Sequence, residues 1–360
     1  MTALRKISSD FTVNPFAQAL LAWYQKSGRT LPWRTTPTSV YKTVISEFML
    51  QQTTVQTVIP YFENFIRRWP TFKALAGASL EDVLSAWQGL GYYTRARNLH
   101  KLAGALTLQQ NGQLSPNIKE LEKLPGIGPY TAAAIRSIGF NESALPLDGN
   151  LARIFARVFC VAGPKDDVLK KLRGFQNSLL PERNFSDYAQ ALMDLGATIC
   201  TPQSPSCHMC PVSKFCQSFQ SNSQNLFPEK AIKKPLARRY GHFFWVYNPS
   251  ANTFLLQPES DRLLHKMLRP PRSTFSDQQE PPHFPPLGID GSWQHRGTVQ
   301  HTFTHFKLRI DVWFGATAQK SHSSPGDLWI SPEKFGNHPL STLTKKTFRA
   351  LNLTQGQLFS

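Results

Sequence analysis

The sequence predicts a multidomain protein in which a mostly α-helical domain is followed by an α+β domain, and three observations carry that expectation. Apolar residues recur at helical spacing from Phe16 to about Cys200, as in Ile45, Phe48, Met49, Val55, Ile59, Phe62 and Ile66. Later in the chain the period falls to two: Phe306, Leu308, Ile310 and Val312 alternate with Lys307, Arg309, Asp311 and Trp313. Between the two regimes, Gln217 to Arg239 is first polar and then basic, with no sustained apolar face, and reads as a connector. The expected division is therefore residues 1–216, a linker at 217–239, and residues 240–360.

Within the helical half, LPGIGPYTA (Leu124 to Ala132) reads as a tight hairpin. Gly126 and Gly128 permit the turn, and Pro129 opens the following helix. Backbone N–H groups of such a hairpin, with the helix dipole behind them, suit a phosphate. About twenty residues on, LPLDGNLAR places Asp148 where it would cap the next helix. Cys200, Cys207, Cys210 and Cys216 then follow as C-x6-C-x2-C-x5-C, stiffened by Pro202, Pro205 and Pro211. Four thiols in so short a stretch suit an iron–sulfur cluster or zinc. Zinc ribbons usually show two C-x2-C pairs, whereas this segment has one. In the second half HFFWVY (His242 to Tyr247) and TFLLQ (Thr253 to Gln257) read as strands, Glu280 to Gly288 as a proline-rich loop, and Lys345 to Leu351 as a closing helix.

Composition bounds the function. The chain has 360 residues, 41% of them apolar, enough to bury a core in each domain and to exclude a disordered tail protein. No stretch approaches the ~18 consecutive apolar residues of a membrane span. Met1 to Asp10 shows no apolar run, so a cytoplasmic protein is expected. Lys and Arg number 40 against 23 Asp and Glu, a formal charge of +17, and both halves are basic. Two basic folded halves suggest a polyanion held from two sides.

Together the hairpin, the downstream aspartate and the cysteine loop resemble the helix-hairpin-helix DNA glycosylases of the endonuclease III superfamily. LPWR (Leu31 to Arg34), SEFMLQQTTV (Ser46 to Val55), QGLGYYTRARNLHK (Gln88 to Lys101) and MDLGATIC (Met193 to Cys200) resemble its adenine DNA glycosylase (MutY) family. The resemblance implies a 4Fe-4S cluster on Cys200, Cys207, Cys210 and Cys216, and a DNA-binding site in the helical domain. It also implies that Glu47 protonates the adenine, Asp148 stabilises the sugar cation, and Tyr130 and Asn150 support them. Burial of Glu47 would keep it a proton donor, whereas a helix N-terminus would keep Asp148 ionised. Lyases of the superfamily carry a lysine where this chain has Tyr130, so base removal without strand cleavage is expected.

By the same resemblance Gln52, Tyr92 and Tyr93 intercalate or wedge, and Gly126, Ile127 and Gly128 hold phosphate. Trp33, Arg34, Leu50 and Asp194 form the adenine pocket. Residues 240–360 resemble the family's Nudix-like domain, with Phe303, Thr304 and His305 as the 8-oxoguanine reader. The four glutamates of the second half of the chain, Glu229, Glu259, Glu280 and Glu333, lie far apart in sequence, which argues against a Mg-binding Nudix box. The linker has no cysteine and so no extra zinc site.

The expected protein is a monomeric, bacterial-type, nucleoid-associated glycosylase. Its expected substrate is double-stranded DNA bearing adenine opposite 8-oxoguanine or guanine. A bifunctional glycosylase/lyase, a non-catalytic iron–sulfur DNA-binding protein and a Nudix hydrolase are the alternatives.

Overall fold

The computed structural model describes residues 13–109, 112–230, 235–261, 264–265, 267–282, 292–317 and 326–353. These divide into two compact units, Met1–Ala78 with Asn98–Lys233, and Ser79–Arg97 with Lys234–Ser360. Met1 to Asp10 and most of the proline-rich stretch after Glu280 lie outside the described residues. No described helix is long and apolar enough to cross a membrane.

The first unit is helical. Ser39 caps the helix Val40–Leu50, its hydroxyl accepting from Lys42 N. Every residue of that helix from Thr43 to Met49 is buried, so its one acid, Glu47, is carried into the interior. The helical spacing expected from Ile45 to Ile66 is carried by two helices: the first ends before Gln51–Thr54 and the second is Val55–Arg68, with Gln52 between them at φ 58°. Helix Gly149–Val158 buries both faces and packs with Phe185–Thr198 and Val13–Ser27 around Phe16, Phe155, Tyr188 and Leu192.

The second unit is a mixed sheet of six strands among the described residues: β1 Ala237–Asn248, β2 Thr253–Pro258, β3 Leu268–Arg269, β4 Gln294–Thr302, β5 Phe306–Ala316 and β6 Leu328–Ile330. The order is β3-β2-β1-β5-β4, with β6 on β2; β1 and β5 are parallel. The period-two expectation is met in β5, where Leu308, Ile310 and Val312 are buried and Lys307 and Arg309 exposed. Phe243, Trp245 and Tyr247 of β1 join them in one core, while Val246 packs on the other face beside Trp293 and Trp329. Helix Thr342–Arg349, capped by Ser341, closes the first face through Leu343 and Phe348, starting three residues earlier than its apolar pattern suggests.

Candidate active site

A pocket of about 190 Å3 opens in the first unit, walled by Trp33, Arg34, Glu47, Leu50, Ile138 and Gln190 among others. Three of the four expected pocket residues, Trp33, Arg34 and Leu50, line it. Asp194 is not part of the wall. It is wholly buried and holds the wall in place: Arg34 Nη1 and Nη2 each donate to its carboxylate at 2.8 Å, Arg29 Nε at 2.7 Å and Arg29 N at 2.9 Å. Burial pushes the Asp194 carboxyl up, but the hydrogen bonds and charge of Arg34, then those of Arg29, hold it below the usual range. Arg34 is thereby committed to Asp194 and to Arg29 O, which leaves it poorly placed as a phosphate contact. Arg29 and Gln190 also line the pocket and were missed by sequence reasoning. No motif marked Arg29, and Gln190 reads as an ordinary polar helix position.

The two carboxyls expected to divide the chemistry lie within electrostatic reach of each other. Glu47 is 5% exposed. Burial, reinforced by the charge of Asp148, pushes its pKa up to about 7 against a hydrogen bond from Tyr130 and the charge of Arg34. Burial and the same two carboxylates push the Tyr130 phenol well above its ordinary range, so it stays a hydrogen-bond donor. Asp148 caps helix Gly149–Val158: Asn150 N and Leu151 N each donate to it at 2.8 Å, and Asn150 Nδ2 donates at 3.0 Å. The expectation that the helix terminus alone keeps Asp148 low needs correction. Burial outweighs these donors and the charge of Arg153, and raises its pKa.

The hairpin adopts the expected turn. Gly126 has φ 79°, and a Cβ there would meet Asn98 Cβ and Phe48 Cε1 at 2.7 Å each. Gly126 and Gly128 are exposed. Ile127 does not fit as expected: its side chain is buried and its N–H is used on Leu124 O at 3.2 Å. Gln52 is exposed. The tyrosine pair separates, since Tyr92 is 48% exposed whereas Tyr93 is 3% exposed and its hydroxyl accepts from Gly89 N. Of the pair, Tyr92 is the one that presents its ring at the surface, because Tyr93 fills the core. Phe303, Thr304 and His305 form the tip of the hairpin joining β4 to β5, with Thr304 and His305 exposed and Phe303 packed on Phe306. A turn tip suits contact better than the strand that the surrounding alternation suggests.

Four cysteines, none in a disulfide, gather on the loop after helix Phe185–Thr198. The charges of Cys200 and Cys216 are felt at both Cys207 and Cys210. Arg157 Nη1 donates to Cys200 Sγ at 3.3 Å and to Thr201 O at 2.7 Å. Arg153 Nε donates to Cys200 O at 2.8 Å, and its Nη2 to Asn150 Oδ1 at 2.9 Å, so the loop and the Asp148 cap share one guanidinium. Among the described residues no three His, Cys, Asp or Glu side chains are close enough for a single metal ion. An all-thiolate set spread over a loop suits a cubane cluster, which takes one thiolate per iron, better than one zinc.

Residues 45–176 match the HhH-GPD superfamily of base excision DNA repair proteins, residues 200–216 the iron-sulfur binding domain of endonuclease III, and residues 242–350 the NUDIX domain. The structure of a thermostable thymine-DNA glycosylase matches 61% of this chain and 99% of its own, with a TM-score of 0.53 at 27% identity. Fold and site thus define a base excision DNA repair enzyme of the helix-hairpin-helix class, with a 4Fe-4S cofactor and a Nudix-like second domain. The adenine DNA glycosylase of Rattus norvegicus is 33% identical over 94% of this chain and 78% of its own length. That of Buchnera aphidicola subsp. Schizaphis graminum is 35% identical over 83% and 87%. This chain belongs to the adenine DNA glycosylase family.

Proposed function

We propose that this chain removes adenine mispaired with 8-oxoguanine or guanine from double-stranded DNA by hydrolysis of the N-glycosidic bond. It acts as a monomer in the cytoplasm, at the nucleoid, and leaves the strand uncut. The observation that carries this reading is Glu47, a carboxyl poised near pH 7 on the wall of a base-sized pocket. Adenine drawn out of the stack would rest against Trp33 and Leu50. Glu47 then donates its proton to a ring nitrogen of the base as the glycosidic electron pair leaves with it. Asp148 faces the cationic sugar, held by Asn150 and the helix N–H groups. Water adds to the sugar carbon and its proton returns to Glu47.

Tyr130 carries a phenol where a lyase needs an amine, so no imine with the sugar forms. The four cysteines, Cys200, Cys207, Cys210 and Cys216, would hold the 4Fe-4S cluster, which when bound would cross-link the loop 200–216. Tyr92, Gln52, Gly126 and Gly128 would contact DNA, and Thr304 and His305 the base opposite the adenine. Along the sequence the domains for these roles are 1–216 and 240–360, joined by 217–239, with Ser79–Arg97 of the first grouping with the sheet unit.

The test is a single-turnover reaction on a duplex with adenine opposite 8-oxoguanine, analysed with and without alkali. Strand breaks only after alkali are expected. Breaks without alkali, or a DNA adduct trapped by borohydride, would restore the lyase reading. No abasic product from folded, cluster-loaded protein would end the enzyme reading.

A further inference from the structure

The loop that carries Tyr92 belongs to the same compact unit as the sheet. It is stiff. Gly89, Gly91 and Tyr92 have φ of 108°, 69° and 48°. Trp87 Nε1 donates to Gly91 O at 3.2 Å, and Arg95 Nη2 donates to Leu90 O at 3.2 Å and Gly91 O at 3.1 Å. The Arg95 guanidinium, buried, lies 5.5 Å from the Trp87 ring centre and 5.4 Å from that of Tyr92. A loop so tied moves as one piece, and whatever holds its start sets the position of Tyr92.

That hold is Gln88. Its Nε2 donates to His338 O and to Leu340 O, each at 3.1 Å, two carbonyls just ahead of helix Thr342–Arg349. A second link runs from Arg97 Nη1 to His265 O at 2.8 Å. The free end of the loop then comes to the β4–β5 tip, where Thr304 Oγ1 donates to Tyr92 Oη at 3.4 Å. The wedge and the tip are therefore held on one frame, with the Gln88 carboxamide at its joint.

We infer that Gln88 is a positioning residue that couples reading of the base opposite the adenine to insertion of Tyr92. This rests on the proposed roles of Tyr92 and Thr304. A base that seats well against the tip fixes the sheet, and through Gln88 the sheet fixes the wedge where the stack must open. Without the two N–H donors the loop would keep its internal ties and lose its register on the sheet. Preference for 8-oxoguanine over guanine would then shrink, because the better-fitting base no longer aids opening.

The test uses full-length, cluster-loaded protein and Gln88→Met, which keeps the side-chain length and removes both donors. Two quantities are measured on duplexes with 8-oxoguanine or guanine opposite adenine: the single-turnover excision rate, and the fluorescence of 2-aminopurine beside the adenine, which reports opening of the stack. Preference in both is expected to fall about tenfold, the scale of two modest hydrogen bonds. An unchanged preference, whether both rates drop together or neither moves, would reduce Gln88 to a structural contact and overturn the coupling. If Gln88→Met unfolds early, Gln88→Asn, which retains the donors on a shorter arm, is read the same way. Should wild-type protein excise nothing, the proposed function fails, yet the fluorescence comparison still decides the coupling.

Discussion

Glu47 in the helical unit and Glu259 in the sheet unit are each 5% exposed, yet their carboxyls are driven in opposite directions. Burial pushes Glu47 up to about 7, and Arg34, the cation whose charge opposes that rise, is already held by Asp194. Burial acts on Glu259 too, but hydrogen bonds from Arg272 and the charge of Arg269, with Arg269 Nε and Arg272 Nε both at 2.9 Å, hold it down to about 2. The lesson is that burial by itself does not mark a catalytic acid. An acid buried without a committed cation keeps its proton near neutral pH and can donate it, whereas one clamped between guanidiniums is a brace.

The largest effect expected from this contrast is on chemistry. Glu47→Gln should slow adenine excision by about 1,000-fold, within the usual range for a lost acid or base, while duplex affinity is kept. Because the substitution removes a group that is costly to ionise, thermal unfolding at pH 8 should not shift downward. An excision rate within tenfold of wild type would take Glu47 out of the reaction.

The matching change at Glu259 should do the reverse. Glu259→Gln leaves Arg269 and Arg272, with side chains 14% and 8% exposed, short of their counter-charge. It should cost about 3 kcal/mol, read by denaturant unfolding, with excision by folded protein intact. Loss of excision without loss of stability would give the second carboxylate a role in the reaction.

Proton linkage separates the two next. The folded pKa of Glu47 lies above its ordinary value of 4.5, so its contribution to stability is whole below pH 4.5 and is lost as pH rises to about 7. Glu259 is depressed, so its contribution is present above pH 4.5 and lost as pH falls to about 2. Urea midpoints followed against pH should show the Glu47→Gln variant missing the first slope only. The excision rate of wild type should decline about tenfold per pH unit once above pH 7. A flat rate from pH 6 to 9 would contradict a donating Glu47.

The smallest effect falls on the tip of the sheet unit. Thr304→Ser keeps the hydroxyl and removes a methyl. It should alter preference for 8-oxoguanine by no more than about fourfold, the worth of one such group, and leave the absolute rate on a guanine partner alone. A larger change would mean that the methyl itself packs on the base.

Much of the candidate site was legible from residue order. The hairpin around Gly126, the Asp148 cap and the cysteine loop are local devices, specified by residues a few positions apart. The pocket was legible in part: Trp33, Arg34 and Leu50 line it, but Gln190 is brought there by a distant helix, and Arg29, though close in sequence to Trp33, lay in no motif. Asp194, expected in the pocket, proved to be the anchor behind Arg29 and Arg34. Ile127 lay within the right motif, yet its side chain faces the core and its N–H closes the turn. The brace around Glu259 was invisible, because nothing in the order of residues between Glu259 and Arg272 marks which arginines turn back onto the carboxylate.

By itself the sequence determined the two periodicities and hence the two kinds of domain, the hairpin, the cap, the thiol loop and the presence of a tyrosine rather than an amine at 130. Each follows from backbone preference or from spacing along the chain. Tertiary structure alone decided that Glu259 falls although it is as buried as Glu47, that Tyr92 faces out while its neighbour Tyr93 faces in, and that Gln88 meets His338 and Leu340. The physical reason is common to all three. Burial, electric field and hydrogen-bond partners are set by atoms close in space, and those atoms come from segments as many as 252 residues away.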